Sequence, residues 1–77
     1  MPIAIVLVNA RPGTEDALAR KLCKIQHVKE AHVVYGIYDI VVRIEAETMQ
    51  KIREIIAWRI RTLDEVRNTV TMLVLAP

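Results

Sequence analysis

Apolar residues recur along the chain with two different periods, and the change of period marks its elements. Residues 3–8 form a continuous apolar run, rich in β-branched side chains and too short for a typical helix, which is typical of a strand buried on both faces. Leu18, Leu22 and Ile25 then recur at helical spacing. We therefore predict an amphipathic helix that begins at the candidate cap Thr14 and ends near Ile25.

Two segments of β-type composition follow, separated by a short link that contains Gly36. They cover residues 28–35 and 38–46, and runs of this kind joined through a glycine predict a β-hairpin. Thr48 is a candidate cap for a second helix. The apolar face of that helix consists of Met49, Ile52, Ile55, Ile56 and Ile60.

A last strand is predicted over residues 66–76. One of its faces carries Val70, Met72 and Val74, and the other carries Thr69, Thr71, Leu73 and Leu75. The predicted order is β-α-β-β-α-β in one domain, residues 1–77. This order predicts an α+β, ferredoxin-like fold, with a four-stranded antiparallel sheet and two helices on one of its faces.

The other face of the predicted sheet indicates a partner. It would meet water in a monomer and should then be polar at alternate positions, yet the first and last strands are apolar on both sides. Burying each aliphatic side chain is worth about 1.5–3 kcal/mol, so a soluble protein is not expected to leave several exposed. We therefore expect a homodimer formed by packing sheet on sheet, with a partly apolar monomer as the alternative.

Composition narrows the classes of function. The chain has 11 Lys and Arg against 9 Asp and Glu, and these charges are scattered, which argues against a dedicated nucleic-acid or membrane surface. No apolar run approaches the roughly 20 residues of a membrane span, and we recognise no signal peptide. The single cysteine fits a reducing compartment. We expect a cytoplasmic protein without direct specific DNA binding.

Candidate metal-binding and catalytic residues are few. Cys23, His27 and His32 have a spacing that matches no closed zinc signature, and the chain contains no serine. Trp58 beside Arg59 lacks the aromatic platform of a nucleic-acid surface, so we interpret these side chains as a solvated helix face. We therefore predict no catalytic residue, metal or cofactor, while a histidine acting as a general base leaves an enzyme open.

The link between the hairpin strands offers the clearest chemistry. Gly36 can adopt a positive φ, and the amides around Gly36 and Ile37 can form an anion-binding concavity. Asp39, just after them, can accept a hydrogen bond from an ammonium group. A zwitterionic amino acid needs both features. In the alternative interpretation, Gly36 only forms the turn and Asp39 only satisfies local amides.

The link and the last strand carry a resemblance to a known family. The run Gly36-Ile37-Tyr38-Asp39-Ile40-Val41-Val42, followed by a helix and then by Val66-Arg67-Asn68-Thr69-Val70-Thr71-Met72-Leu73-Val74-Leu75, resembles the effector-binding (RAM) domain of the Lrp/AsnC transcription regulators. The resemblance covers essentially the whole chain. It implies a ferredoxin-like fold, sheet-to-sheet dimers and further assembly, often to octamers.

The same resemblance implies a ligand. Small amino acids bind in this family between dimers, beside the link, which places Gly36, Ile37, Tyr38 and Asp39 at the site. Thr69 and Thr71 are weaker candidates for the same pocket.

Full-length members of the family also carry a helix-turn-helix domain, whereas this chain starts directly at the first strand and resembles a stand-alone version. We therefore expect a non-catalytic amino acid sensor that acts on transcription or amino acid metabolism through partners, among them full-length Lrp/AsnC-type regulators. Two alternatives remain: a small enzyme of the dimeric α/β-barrel type, and a structural assembly subunit with a vestigial site.

Overall fold

The computed structural model describes residues 1–76, and its elements follow the predicted order. The strands are β1 (Ile3–Ala10), β2 (Val28–Val33), β3 (Ile40–Glu45) and β4 (Val66–Val74). The helices are α1 (Glu15–Cys23) and α2 (Met49–Ile55), and α2 continues into a π-helical turn over Ile56–Ile60. The sheet has the order β2-β3-β1-β4 with antiparallel neighbours, which confirms the ferredoxin-like α+β prediction.

A single apolar core lies between the sheet and the helices. Alternate residues of the two central strands are buried, and these are Ala4, Val6, Val8, Ala10, Ile40, Val42 and Ile44. The helices contribute Leu18, Leu22, Ile52 and Ile60, which are fully buried. Each buried aliphatic side chain is worth about 1.5–3 kcal/mol, so this layer holds both helices against one face. Within residues 1–76 no polar or charged side chain is buried.

The residues between the buried positions form what we call the open sheet face. Its apolar members lie side by side in register on three strands, and they are Ile3, Ile5, Leu7, Val41, Val70, Met72 and Val74. Met72, for example, pairs with Ile5 and is 46% exposed. In the single chain, therefore, β1 is buried on one face and only half-buried on the other, which differs from the expectation of burial on both.

The link between β2 and β3 is longer than the sequence predicted. β2 ends at Val33 and β3 begins at Ile40, so residues 34–39 form the link. The backbone N–H of Val34 donates to the carbonyl of Asp39 (2.8 Å), while the N–H of Asp39 donates to the carbonyl of Val8 (3.0 Å). Asp39 thus closes the link and also attaches it to β1.

The helix caps differ from each other. The Thr48 hydroxyl accepts from the N–H of Lys51 (3.1 Å), as expected of a cap. The Thr14 hydroxyl instead donates to the carbonyl of Arg11 (2.7 Å) and caps no amide. Helix α1 ends at Cys23, earlier than predicted, and Ile25 reaches the core from the turn that follows. None of the helices described within residues 1–76 has the length and apolarity that crossing a bilayer requires.

Candidate functional site

Asp39 is held at the point where β1 leaves its ladder with β3. The last β1–β3 pair is Val8 with Ile40, so Ala10 lies beyond the reach of β3 backbone acceptors. The Asp39 carboxylate replaces the missing backbone acceptor, since its Oδ2 accepts from the N–H of Ala10 (2.8 Å). The alternative interpretation assigned Asp39 to local amides, whereas the amide that it satisfies belongs to Ala10, far away in the sequence. The other carboxylate oxygen of Asp39, Oδ1, accepts no hydrogen bond within residues 1–76.

A groove of about 400 Å³ opens beside this carboxylate, and we call it the Asp39 groove. Its polar lining consists of Asn9, Glu15, Asp39, Arg67 and Asn68. Two carboxylates and one guanidinium thus face one space, together with an amide pair in which Asn9 Nδ2 donates to Asn68 Oδ1 (3.2 Å). Such a set can accept hydrogen bonds from an ammonium group and donate them to a carboxylate.

Sequence reasoning missed Asn9, Glu15, Arg67 and Asn68. A signal was present for Asn9, because it directly follows the apolar run of residues 3–8, whereas Asn68 lies among the polar residues Arg67 and Thr69. The pairing that brings them together, Asn9 opposite Asn68, is visible only in the sheet register. Arg67 enters the same groove because the β1–β4 register shifts there.

The remainder of the link projects away from the core. Tyr35 is fully exposed and Ile37 is 88% exposed, whereas Tyr38 is half-buried. Gly36 does not have the expected positive φ, which is found instead at Gly13 (87°) and His27 (78°). A link as long as residues 34–39 reverses the chain without a left-handed residue, which only the tightest hairpin turns require.

The two predicted threonines lie elsewhere. Thr69 pairs with Val8 and Thr71 with Val6, so both are on the helix-facing side of β4. They line a different groove, of about 430 Å³, with Ile56 and Arg61 among its walls. Thr69 is near the same end of β1 as Asp39 but on the other side of that strand. Among the predicted site residues, therefore, Asp39 alone lines the Asp39 groove, Gly36, Ile37 and Tyr38 lie outside its lining, and the threonines line another groove.

Two ion-pair clusters lie outside the candidate site. On the open sheet face, hydrogen bonds from His32 and Arg43 hold the pKa of Glu30 below its ordinary value, and Arg43 also pairs with Glu45. A hydrogen bond from Lys21 likewise lowers the pKa of Glu65 and joins α1 to the segment before β4. Within residues 1–76, no three His, Cys, Asp or Glu side chains come together as metal ligands.

Comparison with known proteins identifies the family. The model of the Lrp/AsnC ligand binding domain matches residues 3–77, nearly the whole chain. The chain belongs to the Lrp/AsnC ligand-binding domain family. The resemblance read from the link and the last strand is thereby confirmed, and the chain has the size of that domain alone.

Relatives within the Lrp/AsnC family include transcription regulators. An uncharacterised HTH-type transcriptional regulator of Pyrococcus furiosus is 32% identical over 73 residues, which cover 91% of this chain and 49% of the regulator. The regulatory protein AsnC of Escherichia coli is also 32% identical over 73 residues, covering 95% of this chain and 47% of AsnC. The chain thus spans about half the length of these curated relatives.

Solved structures match the Lrp/AsnC fold closely. A hypothetical protein from Pyrococcus horikoshii superposes with a TM-score of 0.93 at 35% identity, covering all of this chain and 93% of the other. A transcriptional regulator from Neisseria meningitidis, solved as a complex with L-Met, superposes with a TM-score of 0.87 at 16% identity, covering 97% of this chain and 50% of that one. The second likeness concerns the fold alone.

Proposed function

We propose that this domain, residues 1–77, is a non-catalytic amino acid sensor that modulates transcription or amino acid metabolism through partners in the cytoplasm. The amino acid binds beside the β2–β3 link, where two sheet-to-sheet dimers meet in an assembly as large as an octamer. One observation carries this proposal. In the Asp39 groove, the carboxylates of Asp39 and Glu15 lie with the Arg67 guanidinium and an amide pair, which is the charge pattern of a site for a zwitterion.

The class of ligand has further support. The Neisseria regulator was solved with methionine, an amino acid, on a related fold. The link also projects Tyr35 and Ile37 into solvent next to Gly36, at which even a Cβ would have no atom within 4 Å. These side chains are available to a neighbouring subunit, which would complete the walls of the pocket. Thr69 and Thr71 enter such a pocket only if the neighbour supplies them, because in their own chain they lie on the helix-facing side of β4.

The open sheet face supports the dimer. Val70, Met72 and Val74 are each about two-fifths exposed or more and lie beside Ile5 and Leu7 on the neighbouring strand. A contiguous apolar surface of this kind marks an interaction site in soluble proteins. A second copy placed face to face buries it on both chains, leaving the helices on the outside of the pair.

The two alternative functions predict different features. An enzyme of the dimeric α/β-barrel type needs polar groups between the sheet and the helices, and the core described within residues 1–76 is entirely apolar. This supports the non-catalytic proposal. A structural subunit would share every feature of the fold and would differ only in ignoring amino acids, so binding has to be measured.

A thermal-shift screen against the twenty amino acids tests the sensor directly. A ligand at one hundred times its dissociation constant raises the free energy of unfolding by about 2.7 kcal/mol. For a small domain this corresponds to a large rise in melting temperature. We expect at least one amino acid to raise the melting temperature of the wild type. The shift should be lost in Asp39→Asn, which keeps an oxygen that can accept from Ala10 but removes the charge offered to an ammonium group.

The matched control is Asp64→Asn, which removes the same charge from an exposed turn outside the Asp39 groove. It should retain the full amino acid response. If no amino acid at millimolar concentration changes the melting temperature, the structural-subunit alternative is favoured. If both variants lose the amino acid response equally, the response depends on overall charge and not on Asp39. Co-purification with a tagged full-length Lrp/AsnC-type regulator tests the partner, and recovery of homo-oligomers alone would contradict it.

A further inference from the structure

A third groove lies between α2 and the turn that follows α1, on the helical side of the sheet. Its volume is about 270 Å³. Its polar and aromatic side chains are Gln26 and His27 from the turn and Lys51, Glu54, Trp58 and Arg59 from the second helix and its π-helical turn. We refer to it as the helix groove.

The helix groove is separate from the site proposed above. The carbonyl of His27 accepts from the N–H of Glu45 (3.1 Å), at the end of β3, whereas Asp39 immediately precedes the first residue of β3. The two sites therefore lie at opposite ends of this strand. The helix groove also remains open when the open sheet face packs against a second copy, because the helices cover the other face.

Two backbone irregularities meet at this groove. His27 has φ of 78°, a left-handed conformation that glycine adopts freely and other residues adopt at a cost. Trp58 lies inside the π-helical turn Ile56–Ile60, a rare local geometry that is found frequently at functional sites. A strained residue and a distorted helix thus present an imidazole and an indole to the same space.

The side chains of the helix groove define the chemistry of an occupant. The Trp58 indole is 73% exposed and offers a flat apolar surface. Lys51 and Arg59 flank it from positions roughly 12 Å apart along the helix, and neither forms an ion pair within residues 1–76. Glu54 supplies the one carboxylate among the described lining residues, so the groove has an excess of positive charge.

We propose that the helix groove binds a small planar carboxylate anion, whose ring stacks on Trp58 and whose carboxylate lies between Lys51 and Arg59. The excess of cations favours an anion over a zwitterion. The groove, of about 270 Å³, has room for a single aromatic ring with one substituent.

The chain provides its own reporter, because Trp58 is its single tryptophan. We would titrate the protein with benzoate and follow the tryptophan fluorescence. A saturable change is expected with benzoate. Benzamide, which has the ring without the charge, and acetate, which has the charge without the ring, should bind at least about tenfold more weakly. Equal responses to benzoate and benzamide, or a response that never saturates, would overturn the proposal.

Variants locate the binding. Lys51→Gln and Arg59→Gln should each weaken benzoate binding about tenfold, since each removes a charged hydrogen-bond donor. Arg53→Gln is the matched control, because Arg53 is an exposed cation of the same helix that does not line the helix groove. Unchanged affinity in both of the first two variants would contradict the site.

His27→Gly separates binding from folding. Glycine adopts the observed φ without strain and removes the imidazole from the groove, so the melting temperature should rise while benzoate affinity falls. A variant that is more stable and binds benzoate as tightly as the wild type would show that His27 has no part in the site. Asp39→Asn should leave benzoate binding intact, so failure of the amino acid sensor and failure of this proposal are distinguishable.

Discussion

The Asp39 carboxylate and the backbone N–H of Ala10 are joined by a hydrogen bond of 2.8 Å that connects the β2–β3 link to the end of β1. The N–H of Asp39 also donates to the carbonyl of Val8. One residue therefore completes the hydrogen bonding of the end of β1 that extends beyond β3. A side chain in this position has two functions in our interpretation, one in folding and one in ligand recognition, and substitutions can separate them.

Asp39→Ala should destabilise the fold by about 1–2 kcal/mol, because it leaves the part-buried N–H of Ala10 without its acceptor. Asp39→Asn should cost less, since its amide oxygen can accept the same bond. Urea unfolding followed by circular dichroism measures both. Asp64→Ala, in an exposed turn, is the control and should change the free energy of unfolding very little. Equal stability of Asp39→Ala and the wild type would contradict the structural role of this bond.

Gly36→Ala should leave the fold intact. An added Cβ has no atom within 4 Å and the residue has no positive φ, so alanine should be neutral or slightly stabilising. If the link contacts ligand or a neighbouring dimer, however, the same variant should weaken the amino acid response. Melting temperatures with and without amino acid measure both effects.

Gly13→Ala is the matched comparison for that variant. Gly13 also has open space around it but has φ of 87°, so alanine there should destabilise by about 1–2 kcal/mol through backbone strain alone. If the two alanine variants melt at the same temperature, the backbone difference between the glycines has no energetic consequence.

Sequence patterns predicted the fold because this core is purely apolar. The alternation in β3 and the helical spacing of Leu18 and Leu22 each identify the buried face of their element. The pattern has no exceptions to obscure it, because no polar side chain is buried among residues 1–76. Element ends were less accurate. Thr14 illustrates the reason, since its hydroxyl can donate to a carbonyl as readily as it can cap an amide, and only the folded geometry decides between them.

The candidate site was predicted in part for a related reason. The link residues are contiguous, so Gly36, Ile37, Tyr38 and Asp39 could be grouped from sequence alone. Arg67 joins Asp39 through a register shift between β1 and β4, a long-range feature that the local pattern does not encode. The positive φ of His27 likewise depends on how the turn after α1 enters β2.

A charge on the open sheet face should dissociate the proposed dimer. Val70 is 39% exposed and pairs with Leu7, so Val70→Glu is tolerated in a single chain but would bury an unpaired carboxylate between two packed sheets. Light scattering should show a smaller assembly than the wild type. Gln50→Glu adds the same charge on an exposed position of α2 and should not change the mass. A Val70→Glu variant of wild-type mass would place the interface elsewhere.

Acid should destabilise the fold through Glu30 and Glu65. The pKa of each carboxyl is lowered by its partners, His32 and Arg43 for Glu30 and Lys21 for Glu65, from an ordinary value of 4.5. Near and below that value the unfolded chain therefore binds more protons than the folded one. The stabilisation is present above pH 4.5 and is lost as the pH falls through the lowered values.

Urea midpoints between pH 7 and pH 3 measure this loss. Glu30→Gln and Glu65→Gln should each start from a lower midpoint at pH 7 and fall less steeply with acid, because their contribution is already absent. Glu30 is exposed, so added salt should shrink the difference between Glu30→Gln and the wild type at neutral pH, and the effect should be smaller for Glu65, whose side chain is largely covered. Glu47→Gln, exposed and outside the ion pairs described within residues 1–76, is the control and should follow the wild-type curve. An acid transition of unchanged steepness in both variants would mean that other carboxylates determine it.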